Sequence, residues 1–136
     1  MSLLFDTSSI FEAVVRGIVR VLSGNYTIEL ARYELGNIVW KKISLLRSAD
    51  VKRYLELMDL FKKVLGIMKV INITCNESEI LKLANELKIT FYDASYVYKA
   101  RELNIPLVTE DKELAKKISS YVKTLSIDEV LRKNLT

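Results

Sequence analysis

Short apolar runs alternate with helix-period segments along the whole chain, and no other feature narrows its possible folds so far. Leu3-Leu4-Phe5, "MKVINI" at 68–73 and "IPLVT" at 105–109 are too short to be helices that select a face. Continuous apolar runs of that length, bounded by turn formers, read as strands buried on both sides. Strands are therefore expected at 2–6, 27–29, 68–73, 105–109 and in "YVKTL" at 121–125. Between them the spacing predicts helices. One spans 8–22, with Ile10, Val14, Ile18, Val21 and Leu22 on its apolar side, and two more span 30–46 and 49–65. Asp50 stands near the start of the last of these and Gly66 after its end. Further helices are expected at 78–87 (capped by Asn76 or Ser78), at 91–103, at 111–119 and after the Ser126 cap. Strands alternating with helices from end to end predict a three-layer α/β/α architecture around a central, mostly parallel sheet.

With 136 residues, half of them hydrophobic, the chain is read as one domain, 1–136, with a core that needs no staple. A single cysteine, Cys75, allows no intramolecular disulfide and fits a reducing compartment. No apolar run approaches the ~18 residues of a membrane span. The N-terminus lacks the basic-then-apolar order of a signal peptide. A soluble, cytoplasmic protein is expected. Histidine is absent. That excludes Ser-His-Asp triads and His-based proton transfer, and it removes the ligand that most zinc sites use. Glutamine is absent too, and with abundant Lys and Glu this follows the compositional trend of thermophile proteins. The net charge of +4 makes an acidic polymer a plausible partner.

Four acids sit where acids are costly. Asp6 ends the first buried strand, and Asp111 follows "IPLVT". In a parallel α/β sheet, ligands bind outside the carboxyl ends of the strands, so both are expected to face one crevice. Glu34 interrupts an apolar stripe of Leu30, Ala31 and Ile38. Asp93 lies in a first helical turn, on the side of Ala94, Val97 and Ala100. Taken singly, Asp93 is explained by the helix dipole, and Glu34 by a helix-edge position with its head in water. Taken together, four carboxylates around one crevice would repel one another and raise their own pKa values. A hard divalent cation, Mg²⁺ or Mn²⁺, reverses that cost through oxygen ligands.

The segments "LLFDTSSIF", "ELGNIVWK", "FYDASYVYKA" and "LVTEDKEL" resemble, in order and spacing, the four acidic motifs of the PIN-domain family. The likeness covers nearly the whole chain and is greatest to the VapC-type toxins of prokaryotic toxin–antitoxin pairs. It implies that Asp6, Glu34, Asp93 and Asp111 are catalytic and hold one or two divalent ions, with Ser8 and Thr109 lining the site. In the family's T-x-D pattern the acid two after the threonine is used, which selects Asp111 over Glu110. The implied activity is endoribonucleolytic hydrolysis leaving a 5′-phosphate and a 3′-hydroxyl, with RNA as substrate and an antitoxin protein as partner. Without those four, the 17 acids become 13 against 21 bases, so the surface around the pit is basic, as a phosphate-tracking surface should be.

Alternatives stay open at this point. A stand-alone RNA-processing nuclease or a non-catalytic RNA-binding module would carry the same pattern. A haloacid-dehalogenase-type phosphatase would need an acid where Ser8 stands, and a receiver-type domain would need a lysine directly after Val108. Tyr92, Tyr96 and Tyr98, near Lys99 and Arg101, either stack bases or pack at a helix edge. Trp40 is expected in the core or an interface. The helices 30–46 and 49–65 either pack as core or supply a homodimer face.

Overall fold

A computed structural model describes residues 1–45 and 50–133. In chain order its elements are β1 (Leu4–Phe5), α1 (Thr7–Val15), β2 (Tyr26–Ile28), α2 (Leu30–Leu45), α3 (Val51–Ile67), β3 (Lys69–Ile71) and α4 (Glu77–Leu87), then α5 (Phe91–Glu102), β4 (Leu107–Val108), α6 (Lys112–Ile118), β5 (Thr124–Leu125) and α7 (Ile127–Arg132). The five strands form one sheet in the order β3-β2-β1-β4-β5, with every pairing parallel. Helices flank it, as the alternation predicts. α5 lies across β1, β2 and β4 with α4 packed on it, while α1 meets α2 and α7, and α2 packs along α3. No helix among the described residues is long and apolar enough to cross a membrane.

β1 occupies the centre. Leu4 is paired with Tyr26 on one side and Leu107 on the other, and Phe5 with Val108. Leu3, Leu4, Phe5, Leu107 and Val108 are fully buried, which is why these segments carry no alternating polar residue. The chain builds β2 and β3 on one side of β1, then crosses back to build β4 and β5 on the other. The strand order therefore reverses between β1 and β4. The crevice above their carboxyl ends is the switch point where such sheets bind ligands.

The structure moves the ends of several expected elements. The first helix stops at Val15 instead of reaching 22, and residues 19–21 form a separate 3-10 turn. Gly17 is the cause: at φ 70° it adopts the left-handed conformation that glycine tolerates best. Ile18 N–H then bonds to Ala13 O at 2.9 Å and Gly17 N–H to Val14 O at 3.0 Å, a Schellman stop. The third helix runs through Gly66 to Ile67, two residues past its expected end at 65. Asn76 caps α4 by position, yet its side-chain oxygen accepts from Lys99 Nζ on α5 instead. In "YVKTL" only Thr124 and Leu125 pair, because Tyr121 and Val122 close a turn onto Ile118. The ends expected at 46 and 49 lie outside the described residues.

A buried asparagine ties the turn before β2 to the sheet centre. Asn25 Oδ1 accepts from Leu3 N–H at 2.9 Å and its Nδ2 donates to Val21 O at 2.7 Å. Asn25→Ala strands both backbone groups in the interior, at about 1–3 kcal/mol per group. A loss of about 2–4 kcal/mol is expected in urea unfolding, as a lower midpoint with unchanged slope. A loss below about 1 kcal/mol would show that water reaches the two groups.

Candidate active site

Two strand-to-helix junctions build the floor of the site. After β1, Asp6 turns from extended backbone into α1 as its N-cap, with Oδ1 accepting from Ser9 N–H at 3.0 Å and from Ser8 Oγ at 2.7 Å. After β4, Asp111 does the same for α6, with Oδ1 accepting from Leu114 N–H at 3.0 Å. Ser8 and Thr109 stitch the two junctions together. Ser8 Oγ accepts from Glu110 N–H at 3.0 Å and lies 3.3 Å from Thr109 Oγ1, which itself accepts from Asp111 N–H at 3.1 Å. Glu110 turns away, its Oε1 accepting from Ile127 N–H at the start of α7.

Two helices supply the other acids. Glu34 on α2 reaches in so that Oε1 accepts from Thr7 Oγ1 at 2.8 Å and from Tyr96 OH at 2.7 Å. Asp93 stands in the first turn of α5, below the Thr90 cap. Asp6, Glu34, Asp93 and Asp111 all line one open cavity of about 520 Å³, with Ser8, and Tyr33, Lys41 and Tyr92 stand on its walls. Thr109, expected to line the site, is buried behind this lining and reaches it through Ser8 and Asp111.

The sequence does not single out Thr7, and it offers Tyr96 only as a stacking or packing residue, not as a partner of Glu34. Tyr96 is 2% exposed, so it stacks nothing, and its hydroxyl lies 2.7 Å from Thr7 Oγ1 as well as from Glu34. The signal was available: Tyr96 is three residues after Asp93, one turn on along the same helical face. Burial pushes its phenol pKa far above the ordinary value, so it stays neutral and remains a donor.

The electrostatics are those of a crowded anionic site. Burial raises the pKa of Asp6, which is 6% exposed, against the opposing hydrogen bonds from Thr109, Ser8 and Ser9. Asp93 is raised first by burial and then by repulsion from Asp111 and Glu34, while Thr90 and Lys117 pull the other way. The donors are all oxygen, the chemistry of a hard divalent cation. Glu34 and Asp111 each commit one carboxylate oxygen to hydrogen bonds within the protein, and both residues line the cavity. Among the described residues, no three Asp, Glu, Cys or His side chains are placed together as a ready-made metal site. The donor set thus suits such an ion in kind. The four carboxylates would have to draw closer together than they stand to hold one ion between them.

The raised pKa values fix a sign. Each group binds its proton more tightly folded than unfolded, so its stabilising contribution is complete below about 3.8 and is lost as pH rises through the folded value. Asp93→Asn removes that loss. In EDTA at pH 7 the variant should melt at or above the wild-type temperature, with the margin closing toward pH 3. A lower melting temperature at pH 7 would mean that the carboxylate is a structural partner.

A PIN-domain profile matches residues 2–118. Exonuclease VapC9 of Pyrobaculum aerophilum is 41% identical over 97 residues, covering 70% of this chain and 68% of that protein. Ribonuclease VapC3 of the same organism is 34% identical over 103 residues, covering 71% and 73%. The crystal structure of PAE2754 from Pyrobaculum aerophilum superposes with a TM-score of 0.82 at 29% identity, over 98% of this chain and 96% of that one. A chain of a toxin–antitoxin complex from Klebsiella pneumoniae superposes at 0.65 and 19% identity, over 91% and 96%, a likeness of fold. With that match over most of its length and those two relatives, the chain belongs to the PIN-domain family and is of the VapC type.

Proposed function

We propose that the chain is a divalent-metal-dependent endoribonuclease, the toxin of a VapBC-type toxin–antitoxin pair, acting in the cytoplasm as a single domain. One observation carries the reading: Asp6, Glu34, Asp93 and Asp111 come from four separated segments and line one open cavity at the switch point of the sheet. The names of the two VapC relatives, an exonuclease and a ribonuclease, support a nuclease.

In this mechanism Asp6, Glu34, Asp93 and Asp111 would hold one or two Mg²⁺ or Mn²⁺ ions. A bound ion of this kind polarises water and offsets the charge of a phosphodiester under attack. The chain's own contribution is orientation. Thr7 and Tyr96 clamp one oxygen of Glu34, a residue of the cavity lining. Ser8 and the Ser9 amide fix Asp6. Lys41 on the cavity wall meets the anionic backbone of RNA. In-line hydrolysis there leaves a 5′-phosphate and a 3′-hydroxyl.

Cleavage of RNA in Mg²⁺ or Mn²⁺ should stop in EDTA, and activity that survives full chelation overturns the metal mechanism. Asp6→Asn should lose at least about 100-fold while still folding, since it keeps the cap and removes the charge. Tyr96→Phe removes only the hydroxyl that orients Glu34. It should raise the Mn²⁺ concentration needed for half-activity by about 10–100-fold, with much of the rate recovered at saturating metal. An unshifted metal titration would make Tyr96 a packing residue alone. A circular RNA separates the endonuclease from an exonuclease, which finds no end on it.

The proposed antitoxin inserts an Arg or Lys among the carboxylates, where a guanidinium pairs bidentately. Asp111→Asn should therefore weaken partner binding as well as catalysis, by a margin that shrinks as salt rises. Co-expression with the neighbouring reading frame tests this. Recovery of the chain alone, with growth unaffected by its expression, would favour a stand-alone RNA-processing nuclease. Trp40, Val51, Leu55 and Leu60 stand exposed on the α2–α3 pair, and we read that surface as a homodimer face.

A further inference from the structure

Beside the acidic cavity lies a second, smaller one of about 210 Å³ at the carboxyl ends of β2 and β3. Its walls are Ile28, Leu30, Ile73, Phe91 and Tyr92, with Glu29, Asn72 and Ser95 completing a lining whose accessible surface is almost wholly apolar. Leu30 and Tyr92 line both cavities, so the two share a wall. Tyr92 is 59% exposed on that wall and immediately precedes Asp93. It is also the tyrosine of its cluster that remains available. Tyr96 is buried against Glu34, and Tyr98 is half-buried against the core.

We propose that this second cavity seats a nucleobase of the RNA next to the scissile phosphate, with Tyr92 as its stacking platform; the proposal rests on the nuclease reading above. No lysine or arginine lines the cavity, so it is not a phosphate site. Apolar walls with an aromatic face suit the flat face of a base, and stacking on such a face tolerates any base. Asn72 stands on the same lining. Its Oδ1 accepts from Thr74 N–H at 3.0 Å, and its amide nitrogen remains free to donate. Position argues for the same occupant. A nucleotide whose phosphate sits among the carboxylates carries a base tethered within one sugar of it, and the shared wall puts the apolar cavity at that reach.

The test places a single abasic nucleotide at successive positions around the mapped cleavage site. With wild-type protein, one flanking position should raise KM by roughly 5- to 100-fold, the others little. Tyr92→Ala should show a loss of the same size on intact RNA and should no longer respond to the abasic substitution. Tyr92→Phe, which keeps the ring, should behave as wild type. Tyr92 is exposed, so an unchanged melting temperature is expected for both variants. An equal response at every position, or losses from Tyr92→Ala and the abasic site that multiply, would overturn the subsite while leaving the nuclease intact. Tyr92→Ala that cuts normally but releases a co-purified protein would overturn it too, assigning the cavity to that protein. A wild type that cuts no RNA would instead sink the nuclease reading. Quenching of 2-aminopurine in bound RNA, lost in Tyr92→Ala, would then decide the subsite by itself: no quenching at any position overturns it.

Discussion

The parallel pairing of β1 with β4 is the contact on which the rest depends. It sets Phe5 beside Val108, over a hundred residues apart in sequence, and so brings the two strand-to-helix junctions side by side. Ser8 then couples them, donating to Asp6 and accepting from the backbone of Glu110. Ser9 adds a further tie by donating to Val108 O at 2.8 Å. Two strands of two residues each could not hold such a register alone. Full burial of Leu4, Phe5, Leu107 and Val108 between helical layers supplies the stability that so few ladder bonds cannot.

Gathering acids at that junction works against the fold. Asp6 is desolvated, Asp93 is desolvated and repelled, and both hold their protons more tightly than an exposed carboxylate would. Part of the cost is offset by giving the acids structural duties. Asp6 and Asp111 cap helices, and Glu34 joins α2 to α1 and α5 through two hydroxyls. Asp93 has the lightest structural duty, because Thr90 caps α5 in its place. A helix cap, a buried hydroxyl pair and a proposed metal ligand thus make different demands on the same carboxylates.

Much of this was legible from residue order. The apolar runs, the helix periods and the Ser126 cap all appear near their expected places, because burial on both faces and capping leave local marks. The errors have local causes as well. An apolar pattern continued past Gly17, and only a left-handed glycine, whose conformation composition does not reveal, ended the helix there. Taken singly, Glu34 could be read as a helix-edge acid with its head in water, and only the four acids together placed it at the crevice. In fact its carboxylate is held by Thr7, 27 residues away, and by Tyr96, 62 residues away. Trp40, expected in the core or at an interface, is exposed within this chain, which removes the core alternative and leaves the interface one.

By itself the sequence determined the alternation of strands and helices, the four acids at costly positions and the absence of histidine, because periodicity and residue chemistry are local properties. The tertiary structure decided the order β3-β2-β1-β4-β5, and with it the place where the strand order reverses and the acids meet. It also decided that Glu110 faces α7 while Asp111 faces the cavity, and that of three neighbouring tyrosines one holds Glu34 and another borders an apolar cavity. These choices turn on which side of β1 each later strand adds, and on which side chains the packed helices bury. Both are set by contacts between segments far apart in the chain, and no stretch of residues contains them.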